Sequence, residues 1–198
     1  LNALVRLGVR LDLLAERFRE TGASAPLERE ILSLIYQAHR LGSVREVLDR
    51  LRHIAFVVRD RFTSDSWRIF NKLQSDARLK PGRIPLTEAL NVLNTLLFDL
   101  AAFSGLAGEN MTRGHGWRFL DLGRRIERAQ NLLSLLKAAV HPPPRNEALL
   151  GPLLEICDSS MTYRRRYHAR PQLAPVLDLL VADDSNPRSL VWQLYQLH

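Results

Sequence analysis

Apolar side chains recur at every third or fourth position along most of this sequence. That spacing places them on one face of an α-helix, whereas a half-buried strand would alternate apolar and polar residues. No alternating stretch of strand length lies between hairpin turns. The sequence therefore predicts an all-α fold, a bundle of roughly eight to nine helices. In the first hundred residues the positions that carry this period are Leu4, Leu7, Leu11, Leu14, Phe18, Val47, Leu51, Ile54, Val58, Trp67, Phe70, Leu73, Leu90, Leu93, Leu97 and Leu100.

Proline, glycine and capping residues predict where these helices begin and end. The first helix is expected to continue through Phe18, and Ser43 with Glu46 three residues later is a capping box that opens another. Pro152 suits the first turn of a helix that runs to Tyr167. The other predicted breaks and starts are Pro81 with Gly82, Thr87, Trp117, the run His141 to Pro144, and Asn186 with Pro187 as a cap followed by a first-turn proline.

The composition is that of a folded protein, with 46% hydrophobic and 25% charged residues. The length fits one domain, so we expect residues 1–198 to form a single helical domain. The uncharged stretch from Ala89 to Phe98 has about half the ~20 residues that a membrane-spanning helix needs. We therefore predict no transmembrane helix. No secretion signal is recognisable, so a cytoplasmic location is the default expectation.

The basic residues are unusually rich in arginine, because lysine occurs only at Lys72, Lys80 and Lys137 among 28 basic positions. Two explanations stay open. A GC-rich genome would enrich arginine codons, and arginine also forms bidentate pairs with carboxylates and phosphates that lysine cannot match. The net charge of +7 permits an anionic partner without selecting among nucleic acid, nucleotide, acidic protein and membrane surface.

The segment from Met111 to Ala129 combines an apolar helical pattern with many ionic side chains. Phe119, Leu122 and Ile126 share one face of the helix, but Leu120 lies on another. A helix that is apolar on several sides is usually central, so we expect this one to run through the interior of the bundle.

Ionic side chains inside a bundle must be neutralised, because an unpaired buried charge is costly. Asp121 can pair with Arg124 or Arg125, and Glu127 can reach Arg124 or another helix. We therefore expect Glu127→Ala to destabilise the fold by ~3 kcal/mol if its arginine partner is left buried and unpaired. Arginines outnumber carboxylates in this segment, so a bound anion is a second way to balance the charge.

A second basic cluster follows Tyr163, and Tyr163 and Tyr167 lie one turn apart on one helical face. Arg164 belongs to this cluster, and these three side chains are candidate ligand contacts. Two converging arginine clusters would form an anion pocket. Alternatively, the charges fix the register of the helices through ion pairs, and both interpretations stay open.

The run from Gly116 to Ala129 resembles the signature of the bacterial alpha-E domain family, a predicted helical domain with a recurrent Glu-Arg motif. Agreement at Arg59, Arg113, Tyr163 and Arg188 and their neighbours extends the resemblance from about Ser43 to the C-terminus. An earlier Glu-Arg helix of the family is resembled here only by Glu16 and Arg17. Because the chain also starts at Leu1 rather than Met, we expect a truncated N-terminus.

This resemblance implies association with circularly permuted ATP-grasp ligases and transglutaminase-like proteins, in systems that form or remodel peptide-like amide bonds. It implies no established activity for the helical domain itself. The positions that match the motif, and are therefore candidate binding residues, are Arg59, Arg113, Arg118, Asp121, Arg124, Arg125, Glu127, Arg128 and Arg188.

Common catalytic signatures are absent from the sequence. It contains no glycine-rich phosphate loop, nucleophile elbow or His-Glu-x-x-His motif, and its six histidines have no ligand spacing. Cys157 is the only cysteine, which excludes an intramolecular disulfide and a multi-cysteine zinc site. We predict no cofactor and no metal, and Glu127 is the one candidate for a catalytic base.

Three functional hypotheses follow. The first is an accessory helical module of an ATP-grasp-linked, peptide-modifying system, which binds a partner enzyme or an anionic or peptide ligand through its arginines and glutamate. The second is an amide-forming or amide-cleaving enzyme that uses Glu127 as a base and arginines to hold a carboxylate or phosphate. The third is a nucleic-acid-binding domain, which interleaved acids such as Asp49, Asp60 and Asp65 disfavour.

Overall fold

The computed structural model describes residues 2–19, 24–76, 85–140 and 147–197, and these ranges contain ten α-helices and no strand. The all-α prediction is confirmed. The helices are α1 (Asn2–Arg10), α2 (Ala25–Tyr36), α3 (Val44–Val57), α4 (Ser64–Asp76), α5 (Leu86–Asn110), α6 (His115–Val140), α7 (Leu150–Ile156), α8 (Ser160–Tyr167), α9 (Leu173–Leu177) and α10 (Leu190–Tyr195). Pro81, Gly82 and the run His141 to Pro144 lie outside the described residues.

The chain divides into two compact units, each with its own hydrophobic core. Unit 1 comprises Leu1–Gly22 with Arg118–His198, and unit 2 comprises Ala23–Trp117. That residues 1–198 act as a single domain stays a prediction.

The core of unit 1 forms around α7 and α9. Leu153 and Val176 are completely buried there, and Leu132 and Leu136 from the second half of α6 pack against them. Burying each such side chain contributes about 1.5–3 kcal/mol. Arg10 of α1 donates a hydrogen bond of 2.8 Å to the carbonyl of Ala138. The second half of α6 is therefore fixed in the interior of this unit.

The core of unit 2 lies among α3, α4 and α5. Phe70 is buried there, and its ring centroid is 5.1 Å from that of Phe62 and 4.8 Å from that of Phe103. Asp99 on α5 forms a 2.8 Å ion pair with Lys72 on α4. Packing of aromatic rings and one ion pair thus join these helices.

Three predicted helix boundaries are wrong. The first helix ends at Arg10 rather than continuing through Phe18, because the chain folds back until Leu14 lies against Gly8, where a Cβ would meet the Leu14 side chain at 2.9 Å. The helix expected from Pro152 to Tyr167 is divided at Asp158, whose φ of 49° is left-handed. The residue that caps α10 is Ser189 instead of Asn186.

The capping serine predicted at Ser43 is confirmed. Its Oγ accepts a hydrogen bond from the Glu46 amide at 3.1 Å and donates one to the Gln37 carbonyl at 2.6 Å. The Glu46 carboxylate accepts a hydrogen bond from the Gly42 amide. In a capping box it would accept from the amide of the N-cap residue, which is Ser43 here. The side chains at the start of α3 therefore satisfy amides that the helix leaves open.

In the described part of the chain, one helix is long and apolar enough to cross a membrane, namely α5. This is weak evidence, because it rests on length and composition alone and a core helix of a soluble protein passes the same test. The prediction of no membrane span is not confirmed, and the cytoplasmic location stays a prediction.

Candidate functional site

The first half of α6 carries the predicted ionic residues, and two of them form a largely buried pair. Arg125 Nη2 lies 3.3 Å from Asp121 Oδ1, and Arg125 Nε donates to Asp121 Oδ2 at 3.3 Å. The two side chains are 16% and 14% exposed. One helical turn separates them, which is the spacing at which helical side chains meet. The pairing expected for Asp121 is therefore observed with Arg125.

The expectation that Glu127 is buried against an arginine is wrong. Glu127 is exposed, and its carboxylate accepts no hydrogen bond and forms no ion pair with any described residue. Phe119 is 71% exposed, and Leu122 and Ile126 are each 41% exposed. Much of the apolar face formed by Phe119, Leu122 and Ile126 is therefore exposed. Helical periodicity identifies apolar faces but does not tell which of them the fold covers.

A loop before α10 presents Arg188 on a framework of buried polar groups. The Asn186 side chain donates to the Leu179 carbonyl at 2.9 Å and accepts from the Arg188 amide at 3.0 Å. Ser189 Oγ donates to the Asp183 carbonyl at 2.5 Å and accepts from the Trp192 amide in the first turn of α10 at 3.0 Å. Asn186 is 7% exposed and Ser189 is fully buried. The backbone on both sides of Arg188 is therefore held in place.

Gln193 connects this loop to α6. Its Nε2 donates to the Pro187 carbonyl at 2.6 Å, and its Oε1 accepts from Arg125 Nη1 at 3.3 Å. The side chain is only 1% exposed, and both ends of its amide are satisfied. Sequence reasoning missed Gln193. The signal it carries is a polar residue in the first turn of a short apolar helix, four positions after the capping Ser189.

Four arginines of unit 1 thus form one basic cluster, which we call the arginine cluster: Arg124, Arg125, Arg128 and Arg188. Partial burial lowers the pKa of Arg128, and the charges of Arg188, Arg124 and Arg125 lower it further, while Asp121 opposes them. Arg124 and Arg128 form no ion pair with any described residue, whereas Arg188 Nη2 pairs with Asp158 Oδ2 at 3.0 Å. The four positive charges of the cluster exceed the negative charges of its two paired carboxylates, Asp121 and Asp158, by two.

Other predicted binding residues have structural contacts in unit 2. Arg113 donates to the carbonyl oxygens of Ala107 and Met111 at the end of α5, at 3.5 and 3.3 Å, and its guanidinium lies 4.5 Å from the centre of the Trp117 ring. Arg59 lies 5.2 Å from the centre of the Phe56 ring. Arg113 therefore caps the C-terminus of α5, and both arginines lie over aromatic rings.

Arg118 and Arg164 are exposed and make no described side-chain contact. Tyr163 is 1% exposed, and its hydroxyl donates to the Arg170 carbonyl and accepts from the Gln172 amide, both at 3.1 Å. The hydroxyl of Tyr167 donates to Asp178. The tyrosine pair therefore joins α8 to the segment before α9 and to the π-helix Asp178–Ala182 that follows α9, and no described contact connects it to the arginine cluster.

No group of three or more histidine, cysteine, aspartate or glutamate side chains that could hold a metal ion occurs within the described ranges. Cys157 is buried, and burial raises the pKa of its thiol to about 11, against the opposing charge of Arg188. A thiol with that pKa is protonated at neutral pH and is a poor nucleophile. The ionisable groups concentrated at this place are guanidinium groups, which are able to bind anions.

Comparisons with known proteins agree with these features. The family model for Alpha-E, described as a predicted alpha-helical domain with a conserved ER motif, matches residues 3–198. The chain is 35% identical over 173 residues to proteins of Mycobacterium bovis and of two strains of Mycobacterium tuberculosis, each described as an uncharacterized protein. The match covers 83% of this chain and 20% of each relative, so the chain spans about a fifth of their length. No solved structure matches it.

Proposed function

Since the chain belongs to the Alpha-E family, we propose that it is an accessory module of an ATP-grasp-linked system that forms or modifies peptide-like amide bonds. In this role it binds an anionic ligand, a carboxylate or a phosphate, through the arginine cluster. The family resemblance supports the association with a ligase, and the arginine cluster supports the binding. A transglutaminase-like protein is the second partner that the resemblance suggests.

One observation carries the binding proposal: Arg124 and Arg128 form no ion pair with any described carboxylate, although the charges of Arg125 and Arg188 also act on Arg128. Gathering like charges is unfavourable unless a counter-charge is available. The buried amides and hydroxyl of Asn186, Ser189 and Gln193 hold the loop around Arg188 in place before any ligand arrives. Preorganised guanidinium groups favour bidentate binding of oxyanions.

The direct test is calorimetric titration of the purified chain with sodium phosphate and with sodium acetate. We expect binding of at least one of these anions, and roughly a tenfold or greater loss of affinity in Arg128→Gln, because a charge-assisted hydrogen bond contributes about 1.5–3 kcal/mol. Arg165→Gln is the matched control, since Arg165 is exposed and has no described side-chain contact. Equal affinities of the two variants, or no binding of either anion to the wild type, would refute the proposal.

The ligase association needs its own measurement. We expect the chain to bind an ATP-grasp protein encoded beside it, with a Kd that a charge-reversing Arg128→Glu change alters if the arginine cluster lies at the contact. Turnover of ATP or of a peptide by the isolated chain, abolished by Glu127→Ala, would instead favour the enzymatic hypothesis. The exposed Glu127 has no described neighbour that orients its carboxylate, so the accessory role is the one we propose.

The nucleic-acid hypothesis has less support. Asp49, Asp60 and Asp65 each form an ion pair with an arginine within one turn of the chain, at 2.7, 3.2 and 3.3 Å. Arginines paired in this way are less available for phosphates of a nucleic-acid backbone. Binding of DNA or RNA that weakens steeply with salt would restore this hypothesis.

A further inference from the structure

Asp158 occupies an unusual backbone position at the corner between α7 and α8. Its φ of 49° lies in the left-handed region, which asparagine, aspartate and glycine adopt more readily than other residues. Its amide donates to the Glu155 carbonyl at 3.0 Å. The side chain is 78% exposed, so its carboxylate projects into solvent from a fixed corner.

The only described side-chain partner of Asp158 is Arg188. The Arg188 Nη2 to Asp158 Oδ2 distance is 3.0 Å, and the two residues are 30 positions apart in the sequence. The Arg188 side chain is 46% exposed, so solvent screens this pair and it contributes little to stability. The loop that holds Arg188, in contrast, is built on nearly inaccessible polar side chains. A weak, exposed ion pair therefore lies on a rigid framework at the edge of the arginine cluster.

We infer that the carboxylate of Asp158 is an internal substitute for the ligand, which occupies Arg188 when no anion is bound and leaves it when a dianionic group enters the arginine cluster. The two excess positive charges of the cluster match the charge of a phosphate group or of two neighbouring carboxylates. Arg124 and Arg128 are available to such a group without breaking any described ion pair, and Arg188 becomes available when Asp158 is displaced. This inference rests on the proposed anion binding.

The substitution that tests the inference is Asp158→Asn. Asparagine tolerates the left-handed backbone and keeps the size of the side chain, but it no longer competes as an anion for Arg188. We expect the Kd of Asp158→Asn for inorganic phosphate to be roughly 1.4- to fivefold lower than that of the wild type, since exposed ion pairs are worth about 0.2–1 kcal/mol. Calorimetric titration at constant ionic strength measures this change.

Glu155→Gln is the matched control, because it removes one negative charge from the end of α7. Glu155 is exposed and has no described side-chain contact. We expect its affinity for phosphate to stay at the wild-type value. Tightening in Asp158→Asn alone supports the inference. Equal tightening in both variants overturns it, since the effect would then come from net charge and not from release of Arg188.

Two further outcomes separate this inference from the proposed function. If the wild type binds phosphate through Arg128 but Asp158→Asn has the same Kd, the substitute role of Asp158 is refuted and the proposed anion binding stands. If neither protein binds phosphate or acetate, both are refuted. Circular dichroism of each variant, compared with the wild type, establishes that the helices are retained.

Discussion

Arg125 and Gln193, which are 68 positions apart, are joined by a hydrogen bond of 3.3 Å from the guanidinium to the amide oxygen. The same guanidinium holds Asp121 on its own helix, and the same amide holds the loop carbonyl of Pro187. One buried glutamine thus connects the basic helix to the loop that carries Arg188. This contact ties Arg125 to that loop.

Gln193→Leu is expected to lower the free energy of unfolding by about 1–3 kcal/mol, because the Pro187 carbonyl and Arg125 each lose a buried partner. Urea denaturation followed by circular dichroism measures the change. Gln196→Leu is the control at the C-terminus of the same helix, where the side chain is exposed, and it should alter stability by less than about 0.5 kcal/mol. Similar losses in the two variants would show that the amide of Gln193 is not needed.

Glu127→Ala and Asp121→Ala should differ in stability although both remove a carboxylate from α6. Glu127 is exposed and forms no ion pair with a described residue, so its removal should change the free energy of unfolding by less than about 0.5 kcal/mol. Asp121 pairs with a largely buried Arg125, so its removal should cost about 1–3 kcal/mol. Chemical denaturation of the two variants side by side measures the difference. A larger loss for Glu127→Ala would support the buried position that the sequence predicted.

Asp183 should contribute to the acid stability of unit 1. The Ser185 hydroxyl is the largest cause that holds the pKa of this carboxyl below its ordinary value; the Ser185 amide and Arg166 also lower it, and burial opposes them. A carboxyl with a lowered folded-state pKa stabilises the fold above its unfolded pKa of about 3.9, and that contribution is lost as the pH falls through the folded value.

We therefore expect wild type and Asp183→Asn to differ in stability at pH 6 and to converge as the pH falls below about 3.9. Urea denaturation at a series of pH values measures this. Asp184→Asn changes the exposed neighbouring carboxylate. Its free energy of unfolding should vary with pH in the same way as that of the wild type. A difference between wild type and Asp183→Asn that persists unchanged at the lowest pH would contradict the assignment.

Cys157 should resist alkylation in the folded protein. Its thiol is buried and has a pKa of about 11, whereas an exposed cysteine has a pKa of about 8.5 and reacts as the thiolate. At pH 8 we expect iodoacetamide to modify the folded chain at least about 100-fold more slowly than the urea-unfolded chain. Mass spectrometry over time gives both rates, and comparable rates would mean that the thiol is accessible.

The sequence predicted the helices well where the signal is local. The spacing of Val47, Leu51 and Ile54, and the hydroxyl of Ser43, are sufficient to predict that α3 forms, because helix faces and N-caps depend on residues three or four positions apart. They do not give its buried face, since Val47 and Ile54 are 49% and 59% exposed. The Asp121 to Arg125 pair was predictable for the same reason.

Contacts between distant residues were not predictable in that way. Glu127 was expected inside because α6 is apolar on several sides, yet only the packing of unit 1 decides which side is covered. The pairing of Asp158 with Arg188 depends on a left-handed corner and a loop 30 residues away, and neither leaves a periodic signal in the sequence.

The amino-acid order alone determined the all-helical fold and the arginine-rich segment of α6, since backbone hydrogen bonds and apolar periodicity act over one or two turns. The tertiary structure decided that Gln193 would be buried, that Glu127 would face solvent, and that the charge of Arg188 would lower the pKa of Arg128. These outcomes depend on how separate helices pack, because burial and the field of neighbouring charges are properties of the assembled unit and not of any one segment.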